Sequence, residues 1–473
     1  MSRTTDAPGS TEAVSTNSLA GSETVVLRPF YFIVVFWGKV FRDYLCDFCL
    51  PSLLAHDNIP AIEEVGGSKF LFCTTSNDWD ALEKTPIFHT LKQYIEPYFI
   101  EIPLPPSGKS GCEHMGVGHK LAAQMAFRDK AFGVFLTPDL MVSDGTVRAL
   151  KHCAQNGSKV VLTAALRFGE EPLFENLQAL GVLPTDQTPS QSGLPLSISG
   201  RQLVKAAIKS FHSQTQRYEW EAPYFSSFPC ACWWALPDEE GVILHSLSWA
   251  PLLCDYAAVD THDTSTFDVW TLDGDYIFQN FKNVHDMHIV RDSDEMMLVS
   301  WAPLADRPQS LTPNILKRLP VVGEWIKGGI LRAALLSGIF DSLKQQIFFI
   351  PVRWHARALS SSWTVKEAEC RQILSRYLGD IAVESQGRSG HRQESMANGP
   401  WNGLQGLGYR ALLIPLVTLG RIWFIASNLF HARKRLQERM QEALAGDGNA
   451  RMRILQRIIT VWKIIRGVPM RHF

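Results

Sequence analysis

Between His245 and Glu295 the chain gathers four histidines and ten acids against only two bases, Lys282 and Arg291. Two short motifs dominate this window, Asp268-Val-Trp-Thr-Leu-Asp273-Gly-Asp275-Tyr and Asp292-Ser-Asp294-Glu295. Like charges held close together are costly unless a cation, a substrate or a proton-transfer task compensates them. The imbalance therefore points to an enzyme. His245 follows the apolar run 241–244, so it either faces a cleft or is a hydrogen-bonded core histidine. In a cleft, its neutral imidazole offers a nitrogen to a metal or a phosphate oxygen. Asp273 reads as a loop acid and Asp275 as the N-cap of a helix opening at Tyr276. The Asp292–Glu295 motif closes the site or caps the segment that follows. Trp220, Trp233, Trp234, Trp249 and Trp270 are either core or flat platforms for the C–H faces of sugars.

The elements that must hold these residues begin with apolar runs at 30–37, 69–75, 97–103, 132–136 and 159–164, each short enough for a strand. Between them the pattern predicts helices near 39–55, from about 79, and at 115–130. Strands alternating with helices imply βαβ units, hence an α/β fold with a mostly parallel sheet covered by helices on both faces. Ligands bind such sheets at the loops leaving the carboxyl ends of strands. The loop after the fourth strand, Thr137-Pro138-Asp139-Leu140-Met141-Val142-Ser143-Asp144-Gly145, sets Asp139 at the sheet edge beside a stiffening proline. There it is a candidate ligand for a hard divalent cation carrying a diphosphate. Asp144 is a second candidate ligand, or a turn residue before Gly145.

With these residues in view, the chain resembles the nucleotide-sugar glycosyltransferases of the GT-A fold over roughly residues 25–303. The family carries an Asp-x-Asp motif at the end of a buried strand, before an apolar stretch and a turn, similar to 132–145 here. Its earlier loops resemble Leu50-Pro51-Ser52-Leu53-Leu54 and Cys73-Thr74-Thr75-Ser76-Asn77-Asp78. The resemblance implies that Trp37, Gly38, Thr74, Thr75 and Asp78 hold the nucleotide and that Asp139, with Asp144, binds Mn²⁺ or Mg²⁺. It further implies that Asp273 is the base at the acceptor hydroxyl, with Asp275 and His245 beside it. Thr137 stands where the family has its first Asp, so one carboxylate of the metal motif is missing.

Composition bounds the remainder. Four hundred and seventy-three residues suggest roughly two to four domains. The expected boundaries are a disordered tail at 1–24, the GT-A-like domain at 25–305, a helical subdomain at 306–383, a linker at 384–403 and a basic amphipathic tail at 404–473. A net charge of −1 conceals two poles: 221–300 holds fourteen acids and two Lys/Arg, whereas 401–473 holds twelve Lys/Arg and three acids. The basic tail interleaves charge with long aliphatics. That suits an anionic membrane surface, or a helical subdomain packed on the core, better than nucleic acid. Nine cysteines without a dense framework fit a reducing, cytoplasmic setting, peripheral on the inner membrane face if the tail binds lipid.

Several motifs fail. Gly108-Lys109-Ser110 lacks the upstream glycine of a phosphate loop, Pro103 standing there, and Gly116-Val-Gly118 follows a loop and not a strand. The expected activity is transfer of a sugar from a nucleotide diphosphate donor to an acceptor such as a lipid-linked or surface glycan. The competing readings are a metal-dependent phosphohydrolase and a non-catalytic, membrane-attached version of the fold.

Overall fold

The computed structural model describes residues 27–108, 110–184, 193–272, 274–336 and 342–387. Among the described residues thirteen strands run in chain order: β1 Phe30–Val35, β2 Lys69–Thr74, β3 Glu96–Glu101, β4 Phe132–Leu136, β5 Leu140–Val142, β6 Val160–Ala164, β7 Arg167–Gly169, β8 Ala231–Leu236, β9 Gly241–Ser246, β10 Trp249–Asp255, β11 Met287–Ile289, β12 Leu298–Ala302 and β13 Val352–His355. Seven form the central sheet, ordered β11-β6-β10-β4-β1-β2-β3. All its pairings are parallel except those of β10, which lies antiparallel between β4 and β6. The α/β architecture with a mostly parallel, helix-covered sheet is as expected, and the antiparallel β10 is the addition.

Burial on both faces explains why these strands read as unbroken apolar runs. In β1 all six residues are buried, and they alternate between two cores. Tyr31, Ile33 and Val35 join one core with Leu71 and Cys73, under Ala122, Ala123 and Ala126 of the helix Gly111–Arg128. Phe30, Phe32 and Val34 join the other with Phe70 and Phe72, against Leu50, Leu53, Phe88 and Leu150. Each fully buried aromatic or aliphatic side chain contributes ~1.5–3 kcal/mol, which pins the register. A shift of one residue would exchange the two faces of the strand.

Helix Gly111–Arg128 starts four residues before the predicted 115, because Ser110 and Glu113 form a reciprocal capping box. Its approach to the sheet depends on Gly118, where a Cβ would lie 2.7 Å from Val35 Cγ1 and 2.8 Å from Cys73 Cβ. Between β1 and β2 the predicted single helix is divided: Lys39–Tyr44, a π turn Leu45–Cys49, then Leu50–Leu53.

Two small sheets complete the body. In β5-β12-β7, β5 begins four residues after β4 ends and β7 three residues after β6 ends. This sheet therefore sits at the carboxyl edge of the central one. The other, β13-β9-β8, packs against helices Pro320–Leu336, Ser342–Phe348 and Ser361–Gly387 through Trp234, Leu331, Phe348, Trp363 and Leu374. β13 belongs to the segment expected as a separate helical subdomain, yet it pairs with β9 residue for residue over Val352–His355.

Candidate functional site

The order of strands reverses at β1: β2 and β3 extend the sheet on one side, and β4 returns to the other. In such a sheet the loops leaving the two strands at the reversal separate and open a crevice at their carboxyl ends. Trp37 and Gly38 leave β1 there, Thr75–Asp78 leaves β2, and Thr137–Asp139 leaves β4.

Asp78 binds the first two loops together. Its Oδ2 accepts hydrogen bonds from the Gly38 amide at 2.8 Å and the Thr75 hydroxyl at 2.8 Å, and its Oδ1 pairs with Arg42 Nη1 at 2.9 Å. The side chain is only 7 % exposed, so Asp78 fixes the crevice wall through three donors. Gly38 adopts φ +82° as it turns the chain into the next helix, a conformation that glycine alone adopts cheaply. Thr75 caps the helix Ser76–Leu82, whereas the buried Thr74 Oγ1 has no hydrogen-bond partner. Trp37 is half-buried and meets the His114 ring edge-on at 4.9 Å.

Asp139 follows β4, on the other side of β1 from β2, and a guanidinium reaches it. Arg167 Nη1 donates to Asp139 Oδ2 at 2.7 Å, to Ser300 Oγ at 3.0 Å and to the Trp301 carbonyl at 2.8 Å. The Trp301 ring stands edge-on to Tyr44 at 5.6 Å, and the Tyr44 hydroxyl donates to Glu170 Oε2 at 2.6 Å. Burial, with the Asp139 and Glu171 charges nearby, raises the Glu170 carboxyl above its usual range even though Tyr44 opposes the shift. Arg167, Tyr44 and Glu170 were not singled out by the sequence reading. The available signal was position, since Arg167 stands three residues beyond the end of a buried strand.

A divalent cation does not fit this end of the crevice. Thr137 offers a neutral hydroxyl whose oxygen is shut off from solvent and unbonded, and a guanidinium takes Asp139 Oδ2. Asp144 is engaged elsewhere: its Oδ1 accepts from the Asp57 amide at 3.0 Å and its Oδ2 from Ser197 Oγ at 2.7 Å. Among the described residues, two trios of His, Cys, Asp or Glu converge their ligand atoms within 4.8 Å and could hold a metal ion. These are Asp292, Asp294 and His355, and Cys153, His288 and Glu295; neither includes Asp139 or Asp144. In the first trio His355 Nδ1 is hydrogen-bonded to the Arg357 carbonyl and Nε2 meets Asp292 Oδ1 at 2.7 Å. Burial opposes its charge, but these two bonds outweigh it and the imidazole titrates above its usual range. Arg201 already binds Asp294 through two hydrogen bonds.

The acceptor-side residues are spread apart. Asp273 lies outside the described residues. The chain before it is held, since Thr271 Oγ1 and the Leu272 amide both reach His119 Nδ1, at 3.0 and 3.3 Å. His119 is on the helix whose first turns face Trp37, and burial lowers its pKa to about 3, leaving a neutral ring. Asp275, in the first turn of helix Gly274–Asn280, pairs with Lys344 Nζ at 2.7 Å. His245 lies on β9, 3 % exposed, with Nδ1 on the Phe348 carbonyl at 2.9 Å and its ring edge-on to Trp234. Burial holds its pKa down at about 4. The structure thus places it in the core of the β13-β9-β8 unit and not on the crevice wall. Of the five tryptophans, 220, 233, 234 and 249 are core, and Trp270 is 45 % exposed.

No protein-family model matches the chain, and no curated protein matches it. Among solved structures, that of S. aureus TarS is similar at 14% identity and a TM-score of 0.19, over 38% of this chain and 34% of that one. The matched region thus spans about a third of that protein, and so slight a likeness carries no argument about activity.

Proposed function

We propose that this chain is a glycosyltransferase that moves a sugar from a nucleotide diphosphate donor to an acceptor hydroxyl. One observation supports the reading: the strand order reverses at β1, so the loops leaving β1 and β2, joined by the Gly38–Asp78 bond, neighbour the loop leaving β4, where Asp139 is bound by Arg167. A flat indole beside a backbone turn suits a base and ribose. The guanidinium across the crevice suits the diphosphate, whose departure with the bonding electrons it would stabilise. Glu170 and Glu171 stand beyond Arg167 as acceptors for sugar hydroxyls. Asp273, just past the segment bound to His119, is the proposed base that takes the proton from the acceptor hydroxyl, and Trp270 is the proposed acceptor platform. His245 has no part in this scheme.

The acceptor, lipid-linked or a surface glycan, and attachment of the basic 404–473 tail to an anionic membrane belong to the same proposal. That tail lies outside the described residues, and among those described no helix is long and apolar enough to cross a membrane.

The direct test is a panel of nucleotide sugars, read by thermal shift and then by release of nucleoside diphosphate. Stabilisation by one nucleotide family, with acceptor-dependent turnover, is expected. Release of phosphate with water as the sole acceptor would make the protein a hydrolase and end the transferase reading.

A further inference from the structure

Resting on the donor-site reading above, we infer that Arg167 supplies the positive charge that a divalent cation would otherwise bring to the donor diphosphate, so that donor binding needs no metal.

The backbone of Arg167 is clamped. Its amide donates to Thr215 Oγ1 at 3.0 Å, and its carbonyl accepts from the Thr215 hydroxyl at 2.7 Å and the His212 amide at 3.2 Å. The side chain is anchored through one nitrogen alone. Nη1 serves Asp139, Ser300 and the Trp301 carbonyl, whereas Nη2 and Nε have no hydrogen-bond partner among the described residues. Those two nitrogens form the side-on edge of a guanidinium, whose paired N–H groups match two oxygens of a phosphate. With 40 % of the side chain exposed, the fork is held in one orientation and remains open to a ligand.

Asp139 is then a positioning residue. Its carboxylate orients the guanidinium, and its Oδ2 is occupied by that bond, not available as a bare metal ligand. The same geometry accounts for Thr137. A two-carboxylate motif is needed where carboxylates must hold an ion between them, and it is dispensable where a covalently attached cation stands in the ion's place. The remaining acids at this rim are Glu170, bonded by Tyr44, and Glu171, which accepts from the Leu304 amide at 2.9 Å. Neither belongs to a convergent metal-ligand trio with Asp139.

The test is calorimetric titration of the full chain with uridine, guanosine and cytidine diphosphates and with pyrophosphate, in EDTA and in Mn²⁺. Expected are equal affinities within twofold in the two buffers for the nucleotide that binds, and a loss of thirtyfold or more in Arg167→Gln. Arg167→Lys, which keeps the charge but not the fork, is expected to lose about tenfold, and it carries the test if the glutamine variant does not fold. Asp139→Asn separates the two roles most sharply, because a metal ligand would lose binding whereas an orienting group keeps it within about fivefold. Binding that requires Mn²⁺ and vanishes in Asp139→Asn overturns the inference while leaving the donor site standing. Wild-type affinity in Arg167→Gln also overturns it. No binding of any nucleotide in either buffer removes both this inference and the donor site beneath it.

Discussion

Asp78 shows how one side chain can organise a site without touching chemistry. Both its oxygens are used, by a backbone amide, a hydroxyl and a guanidinium, and it is nearly enclosed. Removing it leaves the Gly38 amide and Arg42 without their acceptor, at a cost of about 3 kcal/mol. Asp78→Ala is therefore expected to lower the melting temperature by several degrees and to weaken nucleotide binding more than tenfold. Asp78→Asn, which keeps one acceptor oxygen, should fall between it and wild type. Nucleotide affinity unchanged in a folded Asp78→Ala protein would detach this wall from the donor site. The polar turn after the apolar run at 69–75 was legible in the sequence, although the helix expected from about 79 begins at Ser76 and holds Asp78 in its first turn. The pairing of Asp78 with Arg42 was not, since nothing local links residues thirty-six apart.

At the scale of elements, the packing of helix Gly111–Arg128 decides where the loop before Asp273 lies. A Cβ at Gly116 would fall 2.2 Å from the Phe267 carbonyl oxygen and 2.3 Å from that of Trp270, both backbone atoms that yield only if the loop moves. At Gly118 the clash is with side chains of β1 and β2. Overpacking of this kind costs about 1–3 kcal/mol. Gly118→Ala should mainly lower stability, whereas Gly116→Ala should also displace residues 267–272 and depress turnover beyond its effect on melting temperature. Equal ratios of lost activity to lost stability in the two variants would contradict that division. The glycines that fail as a dinucleotide fingerprint thus have a packing reason to be glycine.

The acidic window does not stand uncompensated. Asp255 pairs with Arg28, Asp268 with Lys120, Asp275 with Lys344, Asp286 with Lys159 and Asp294 with Arg201. All five cations come from outside the window, so the local count exaggerated the need for a metal or a substrate. Such pairs are individually weak where exposed, but together they give five of the window's ten acids a counter-charge and lessen the repulsion among them.

For the whole molecule, three histidines set opposite limits of pH. Burial holds His119 and His245 at about 3 and about 4, below the ~6.5 of an unfolded chain. The unfolded state takes up these protons first, so their contribution is present above ~6.5 and lost as pH falls toward 4. His288 is shifted the other way: the hydrogen bonds its ring makes to Cys153 and to the Glu295 carboxylate push it up to about 10. Its contribution is full below ~6.5 and is lost as pH rises from there through 10. Melting temperature should peak near neutrality, and His288→Gln should flatten the alkaline limb selectively. Identical slopes above pH 7 for wild type and variant, measured by scanning calorimetry, would contradict the His288 assignment. At this scale, too, a liposome flotation comparison of the whole chain with one ending at residue 403 tests the tail; equal partitioning removes the membrane proposal.

What the sequence determined by itself is local in origin. Runs such as Phe30–Val35 and Phe132–Leu136 are apolar at every position because both sheet faces are covered, and a periodicity of a few residues suffices to reveal strands, helices and the loops at strand ends. Tertiary structure decided what depends on distant partners: the insertion of antiparallel β10, the use of β13 to complete a sheet begun at β8, the burial of His245 and the neutralisation of the acidic window. It also joined Asp139 to Arg167, twenty-eight residues away, across the ends of β4 and β6. A charge has meaning only with its counter-charge, and chain folding alone chooses that partner.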